Sequence, residues 1–402
     1  MSGPVVIVAA ARTPLGGFLG ELSGLSAPRL GAAAIGAALG RAGVAPEQVD
    51  EVLMGCVLPA GLGQAPARQA ALAAGLPVAA ACTTINKVCG SGMKAVMLAH
   101  DLLVAGSAGV VVAGGMESMS NAPYLLSRAR AGYRLGHGQV LDHLFLDGLE
   151  DCYSEENRGR LMGAFAEDCA RRFGFTRERQ DEFALASTQR ARAAAAEGAF
   201  AWEIAPVTVV ERTGAGLVEH DELPPKVRPE RIARLRPAFA ENGTVTAANA
   251  SSIADGAAAL VLMRRTEAER LGLEPLATVV AHAGHAQAPA SFTTAPAAAM
   301  RKVLGAAGWE VADVDLWEIN EAFAVVALAA MDELGLAHER VNVHGGACAL
   351  GHPIGASGAR ILVTLIGALR RRGLRRGIAS LCIGGGEATA VAVELETPVA
   401  SR

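Results

Sequence analysis

GSGMKAVMLAHDLLVAGSAGVVVAGG, residues 90–115, reads as Gly-Ser-Gly, a helix-length apolar run, a Val-rich strand and Gly-Gly. The same order returns in ASGARILVTLIGALRRRGLRRGIASLCIGGG, residues 356–386: Ser-Gly, apolar helix, strand, three glycines. A surface helix carries a polar stripe; these two are apolar on nearly every face, so both are expected inside, between sheets. Two copies of one α/β unit, central helices packed together, bring both Gly-flanked helix starts to one interface. Such interfaces commonly hold ligands.

Outward from these repeats, short runs rich in Val, Ile, Leu and Ala alternate with helix-length segments. PVVIVAAA (4–11), DEVLMGCVL (50–58) and AGVVVAGG (108–115) read as strands buried on both faces. A second block has the same rhythm from about residue 276: LATVVAHAG (276–284), VDLWEINEAF (314–323), VNVHGGA (341–347) and IASLCIGGG (378–386). The alternation predicts an α/β protein with a parallel or mixed sheet covered by helices. The stretch between the blocks is more polar and carries prolines and charges, so it reads as an insertion on the first half. The expected units are 1–119 plus 250–274 for the N-terminal half, 120–249 for a loop or cap domain, and 275–402 for the C-terminal half.

Composition narrows the function. The chain has 402 residues, 51% hydrophobic and 19% charged, with 47 glycines, which suits large cores and tight turns and excludes extended disorder. Aromatics are 4% and the net charge is −4, so neither nucleic acid nor an anionic membrane surface is an expected partner. The seven cysteines form no CxxC pair and no zinc-like spacing with the nine histidines, so no metal site is expected. The opening MSGPVVIVAAARTP reads as a strand entering a loop rather than a signal peptide, and no apolar run crosses a bilayer without interruption. A cytoplasmic location with reduced thiols is the expectation.

Chemistry concentrates at the repeats. Cys89 precedes a helix start, where unpaired N–H groups and the helix dipole favour an anion and lower a thiol's pKa. Alone it reads equally as a small core residue. His352 in GGACALGHPIGASGAR (345–360) is held between Gly351 and Pro353 at the start of the second buried helix. Cys382 ends a buried strand and is followed by three glycines whose N–H groups can face an oxyanion. Asn320, with Glu321, sits at another strand-to-helix junction, suited to orienting water or to capping the helix.

Taken together, NKVCGSGMKA, GGMESMSNAPY, GTVTAANASSIADGAAA, NEAFA, GHPIGASGAR and CIGGG closely resemble the thiolases, essentially end to end and in the family's order. CTTINKVCGSGMKA and GQAPARQA look most like the short-chain, acetoacetyl-CoA branch. The resemblance implies a five-layer αβαβα sandwich of two similar α/β halves with an inserted loop domain. It implies reversible Claisen condensation of two acetyl-CoA, or thiolysis of a short 3-oxoacyl-CoA. A degradative thiolase of broader chain length and a non-catalytic lipid or CoA carrier are the alternatives. Coenzyme A would be substrate and product, with no permanently bound cofactor and no metal.

The resemblance also implies roles. Cys89 would be the acylated nucleophile and His352 its base. Cys382 would be the second acid/base, and Asn320 would hold a water beside His352. The N–H groups of Cys89 and Gly384 would form an oxyanion hole, with the Gly-Ser-Gly turn opening backbone donors to the acyl group. Ser251, Ala250, Ile253 and Phe323 would line the pantetheine channel. Leu149, Leu161, Met162 and Phe292 would border the acyl pocket. For the CoA phosphates ALRRRGLRRG (368–377) is a candidate that reads more readily as a solvated helix end, and Arg228 and Arg231 are weaker candidates. Leu161 stands where short-chain members carry His, which makes the pocket more apolar. Phe292 matches the mitochondrial type that accepts 2-methyl-branched substrates. RARAGYRLGHGQVLDHLFLDGL (128–149) resembles the loop that pairs dimers, so a homotetramer is expected.

Overall fold

Two sheets of matching topology organise the chain. The N-terminal sheet runs β3 (Ala81–Ile85), β2 (Glu51–Gly55), β4 (Val110–Ser118), β5 (Ala254–Arg264) and β1 (Val5–Arg12). In it β2 is parallel to both β3 and β4, while β5 is antiparallel to β4 and β1. The C-terminal sheet runs β7 (Leu316–Ile319), β8 (Arg376–Ile383), β9 (Glu387–Leu395) and β6 (Ala277–Ala286). There β7 is parallel to β8, and β9 is antiparallel to β8 and β6. Strand for strand, the second sheet repeats the first without its β3 edge. The two meet where β1 pairs with β6, at Val6 with Thr278 and Ile7 with Ala277. This is a computed structural model, and it describes residues 3–211 and 214–396; the last six residues of the expected C-terminal half lie outside the described residues.

Helices α1 (Ala27–Ala42) and α2 (Pro66–Ala73) cover the outer face of the first sheet, with α3 (Ser91–Ala105) on its inner face. Next in the chain come α4 (Met162–Phe173), α5 (Arg177–Ala196), α6 (Ala295–Ala307) and α7 (Ala324–Leu334). The long α8 (Ser357–Arg372) follows, beside α3. Neighbouring strand residues face opposite cores. Val6 joins Ile35 and Leu39 in the outer N-terminal core, whereas Ile7 joins Met93, Leu362 and Leu381 in the middle. On β8, Ile378 joins Met300, Val303 and Val326 in the outer C-terminal core. Three cores between two sheets make five layers, as expected. The insertion is no detached cap: Phe165 and Cys169 of α4 and Phe183 of α5 belong to the same core as α6 and α7.

Three expectations change. Helix α8 is buried from Ser357 to Leu369, but α3 is not wholly inside: Asp101 and Val104 are exposed and Leu98 and Leu102 half-buried. The segment Val88–Ala105 is long and apolar enough, by length and composition, to cross a membrane, and its buried side packs on the middle core. VNVHGGA is not a strand. Asn342 takes φ 47°, and its side chain accepts from Ile319 N and donates to Ile319 O, each at 2.8 Å, doing for β7 what a neighbouring strand would do. Lastly, the repeated glycines serve helix contact. A Cβ on Gly92 would lie 2.9 Å from Gly355 O, and one on Gly358 2.5 Å from Met93 N. The starts of α3 and α8 therefore touch backbone to backbone.

Candidate active site

That contact places Cys89 and His352 together. Cys89 follows Val88, whose φ of 45° is left-handed and costs a β-branched residue about 1–3 kcal/mol. The neighbouring side chains hold the kink: Asn86 Oδ1 accepts from Val88 N at 3.0 Å, and Ser91 Oγ donates to Val88 O at 2.6 Å. A side chain at Gly90 would strike Ile383 Cδ1, so glycine lets the Cys89 turn press against the end of β8, beside Cys382.

His352 is buried in the loop entering α8, with its own N–H donating to Ser252 O at 2.9 Å. Its Nδ1 lies 2.6 Å from Ser357 Oγ, and that hydroxyl donates its single proton to Pro353 O at 3.0 Å. Ser357 can then only accept, so Nδ1 carries the ring proton and Nε2 keeps an unprotonated lone pair, toward which the Asn320 amide N–H is directed. Asn320 Nδ2 approaches Nε2 at 3.4 Å. Its Oδ1 is buried without a hydrogen-bond partner among the described residues, which suits it to accept from a substrate atom or a water.

These groups line a cavity of about 60 Å³. Of the expected residues, Cys89, His352, Cys382 and Gly384 line it, with Leu149, Met162, Ser251, Phe292 and Phe323. Asn320 stands behind His352. Ala250 lies one step out, bridged to Phe323, and Ile253, like Leu149, packs on the buried cluster that includes Leu58, Leu144 and Ile354. Leu161 and Arg228 are not in the lining: Leu161 holds the N-cap position of α4, next to Met162, which does line the cavity, and Arg228 is exposed. Gly148, Ala322 and Ile354 line the cavity without having been singled out from sequence.

The electrostatics correct the expectation of a thiolate favoured by the helix start. Burial pushes the Cys89 thiol up to about 11, against the pull of the N–H groups of Gly384 and of Cys89 itself. Burial, followed by the Arg360 charge, lowers His352 to about 3. Burial first, then the neighbouring Cys89, raises Cys382 well above an ordinary thiol. At neutral pH the resting site therefore holds two thiols and a neutral imidazole, with two N–H donors already aimed at the Cys89 sulfur.

Two buried carboxylates hold these loops; the sequence names Glu321 only as a neighbour of Asn320 and gives Glu117 no role. Glu117 accepts from Val57 N, Leu58 N and Gly355 N at 2.9–3.1 Å, tying the His352 loop to the first half, and burial raises it to about 7. Glu321 is not aimed at the cavity; it accepts from Ser187 Oγ, Asn342 Nδ2 and Cys348 N at 2.7–3.0 Å. Ser357 was visible in GHPIGASGAR but read only as a helix start.

A doubled α/β unit whose two central helix starts present a cysteine and a histidine to one small cavity is the architecture of a thiolase. The chain belongs to the thiolase family: residues 5–266 match the thiolase N-terminal domain and residues 273–395 the thiolase C-terminal domain. It is 54% identical over 394 residues to acetyl-CoA acetyltransferase 2 of Arabidopsis thaliana, with 97% of each chain covered. It is 52% identical to the Escherichia coli acetyl-CoA acetyltransferase, over 97% of this chain and 98% of that one. The crystal structure of the Bacillus anthracis acetyl-CoA acetyltransferase superposes with a TM-score of 0.95 at 43% identity, covering 98% and 99% of the two chains.

Proposed function

We propose that the chain is an acetyl-CoA acetyltransferase, condensing two acetyl-CoA to acetoacetyl-CoA and CoA and running the reverse thiolysis. The observation that carries this reading is the convergence of Cys89, His352, Cys382 and the Gly384 N–H on one small apolar cavity. A space of about 60 Å³ suits an acetyl group rather than a long acyl chain. This favours the short-chain reading over the broad degradative one, and two cysteines in the cavity disfavour an inert carrier.

His352 Nε2 takes the Cys89 proton as the sulfur attacks the acetyl-CoA carbonyl. The N–H groups of Cys89 and Gly384 hold the oxyanion. Departing CoA sulfur takes the Cys382 proton, leaving Cys382 as thiolate. Cys382 then removes the α-proton of a second acetyl-CoA, whose enolate oxygen is held by His352 Nε2–H and an Asn320-bound water. The carbanion attacks the Cys89 thioester, and the released Cys89 sulfur recovers its proton from His352. Protons balance over the cycle.

Ser251 and Phe323 would meet the pantetheine arm, and Arg228 the CoA phosphates. We further propose a homotetramer in the cytoplasm. Loss of acetoacetyl-CoA on adding CoA tests the activity: turnover by wild type and none by Cys89→Ala is expected, and undiminished turnover by the variant would overturn it.

A further inference from the structure

Away from the cavity, the far part of α3 meets β6. His282 Nε2 lies 2.9 Å from Asp101 Oδ1 and 3.2 Å from His100 Nδ1, and His100 Nδ1 lies 3.3 Å from Asp101 Oδ1. A tetrahedral ion with bonds of about 2.0–2.1 Å sets its ligands about 3.3 Å apart, close to all three edges of this triangle. Two imidazole nitrogens and one carboxylate oxygen suit zinc-class ions better than calcium or magnesium.

Hydrogen bonding alone accounts for the triangle poorly. If both rings donate to Asp101, the third edge sets two N–H groups against each other at 3.2 Å. If one ring donates to the other, one edge to the carboxylate brings two acceptors together. A cation replacing the protons satisfies all three lone pairs at once. Both rings are largely buried and stacked edge to face at 4.9 Å, while Asp101 is exposed, so the donors are pre-placed and one side stays open to water.

We propose that His100 Nδ1, Asp101 Oδ1 and His282 Nε2 form a site for one zinc-class divalent ion, with water in the fourth position. The ion ties α3 of the N-terminal half to β6 of the C-terminal half. His282 lies 181 residues beyond Asp101, so sequence spacing hides the cluster. His100 lies about 14 Å along α3 from Ser91, two residues past Cys89, at 1.5 Å per residue, which separates the ion from the acyl-transfer chemistry.

Cobalt(II) titration of the full-length Cys89→Ala protein tests this, with zinc as competitor. The expected result is one cobalt per chain, a tetrahedral d–d spectrum without a thiolate charge-transfer band, and displacement by zinc. His282→Ala, and the fold-preserving exposed change Asp101→Asn, should each weaken binding by about tenfold or more. In an otherwise wild-type background, zinc should raise the melting temperature of the parent and not of Asp101→Asn, while turnover stays the same in both. Equal binding by parent and variants, or a thiolate band, would overturn the site.

Discussion

Ser357 Oγ accepts from His352 Nδ1 at 2.6 Å because its own proton is committed to Pro353 O. One buried hydroxyl thus selects the imidazole tautomer whose Nε2 can act as a base. Ser357→Ala removes the selector and leaves the ring in place. Of the roughly 10²–10⁴-fold that a positioned acid–base group contributes, about a tenfold to hundredfold loss of kcat is expected. KM for acetoacetyl-CoA should hardly move, and a rise in KM at unchanged kcat would show that Ser357 only shapes the pocket.

A Cys89 thiol near 11 beside a histidine near 3 makes the free protein slow to react with alkylating agents at neutral pH. The thiolate fraction should climb about tenfold per pH unit, still rising past the ordinary thiol value of about 8.5. Iodoacetamide labelling of Cys89 against pH, followed by mass spectrometry, measures it. A plateau at or below that ordinary value would mean a standing thiolate–imidazolium pair instead.

The proposed mechanism gives the two cysteines different shares of the reaction. Cys382→Ala should still accept an acetyl group from acetyl-CoA onto Cys89, seen as a covalent mass shift, but more slowly, because the CoA sulfur must then leave without the Cys382 proton; overall condensation should fall about 10²–10⁴-fold. Cys89→Ala should lose both. Acetylation of Cys382→Ala at the wild-type rate would remove Cys382 from the first half-reaction.

His344, buried edge-on to Phe200, is held down to about 4, by burial first and then by Arg372 and Arg371. A histidine depressed in the folded state stabilises above its unfolded value near 6.5, and that stability drains away as pH falls toward 4. Glu117, raised to about 7, and Glu318, raised to about 8, act in the opposite sense over the same range, so the overall profile conceals the effect. The difference between proteins reveals it. His344→Gln should flatten the fall in unfolding free energy between about pH 6 and 5 by about 1.4 kcal/mol per pH unit relative to wild type. Parallel profiles in urea denaturation would refute this.

Legibility differed by element and by residue. The α3–β4 and α8–β8 units were readable because each pairs an uninterrupted apolar helix with a Val- or Ile-bearing strand between glycines. Strand β5, ADGAAALVLMR, was not read as a strand: buried on both faces and rich in alanine, it carries no period-two signal. VNVHGGA showed the strand composition, but a left-handed Asn342 breaks it. Cys89, His352, Asn320 and Cys382 stood out because each sits at a strand end or a helix start within a distinctive motif. Their ionisation did not, since desolvation is a property of the assembled core, and it outweighs the helix-start effect visible at Cys89. The Ser357 acceptor and the His100–Asp101–His282 triangle depend on side-chain geometry alone.

Residues 126–140 are exposed throughout, and apolar side chains stand out on this arm: Tyr124, Leu126 and Val140 are exposed, and Leu135 is 100% exposed. Exposed apolar side chains gathered on one arm mark a binding surface, and a second copy of the same arm is the partner that the proposed tetramer would supply. Light scattering of wild type should give about four times the 41.0 kDa chain mass. Leu135→Glu combined with Val140→Glu places four charges where two arms meet, and should halve that mass. Because neither side chain is buried in the single chain, the melting temperature of the dimer should stay within a few degrees, and turnover with it. A mass unchanged by the double substitution would locate the tetramer contact elsewhere, and a wild-type monomer would remove the need for one.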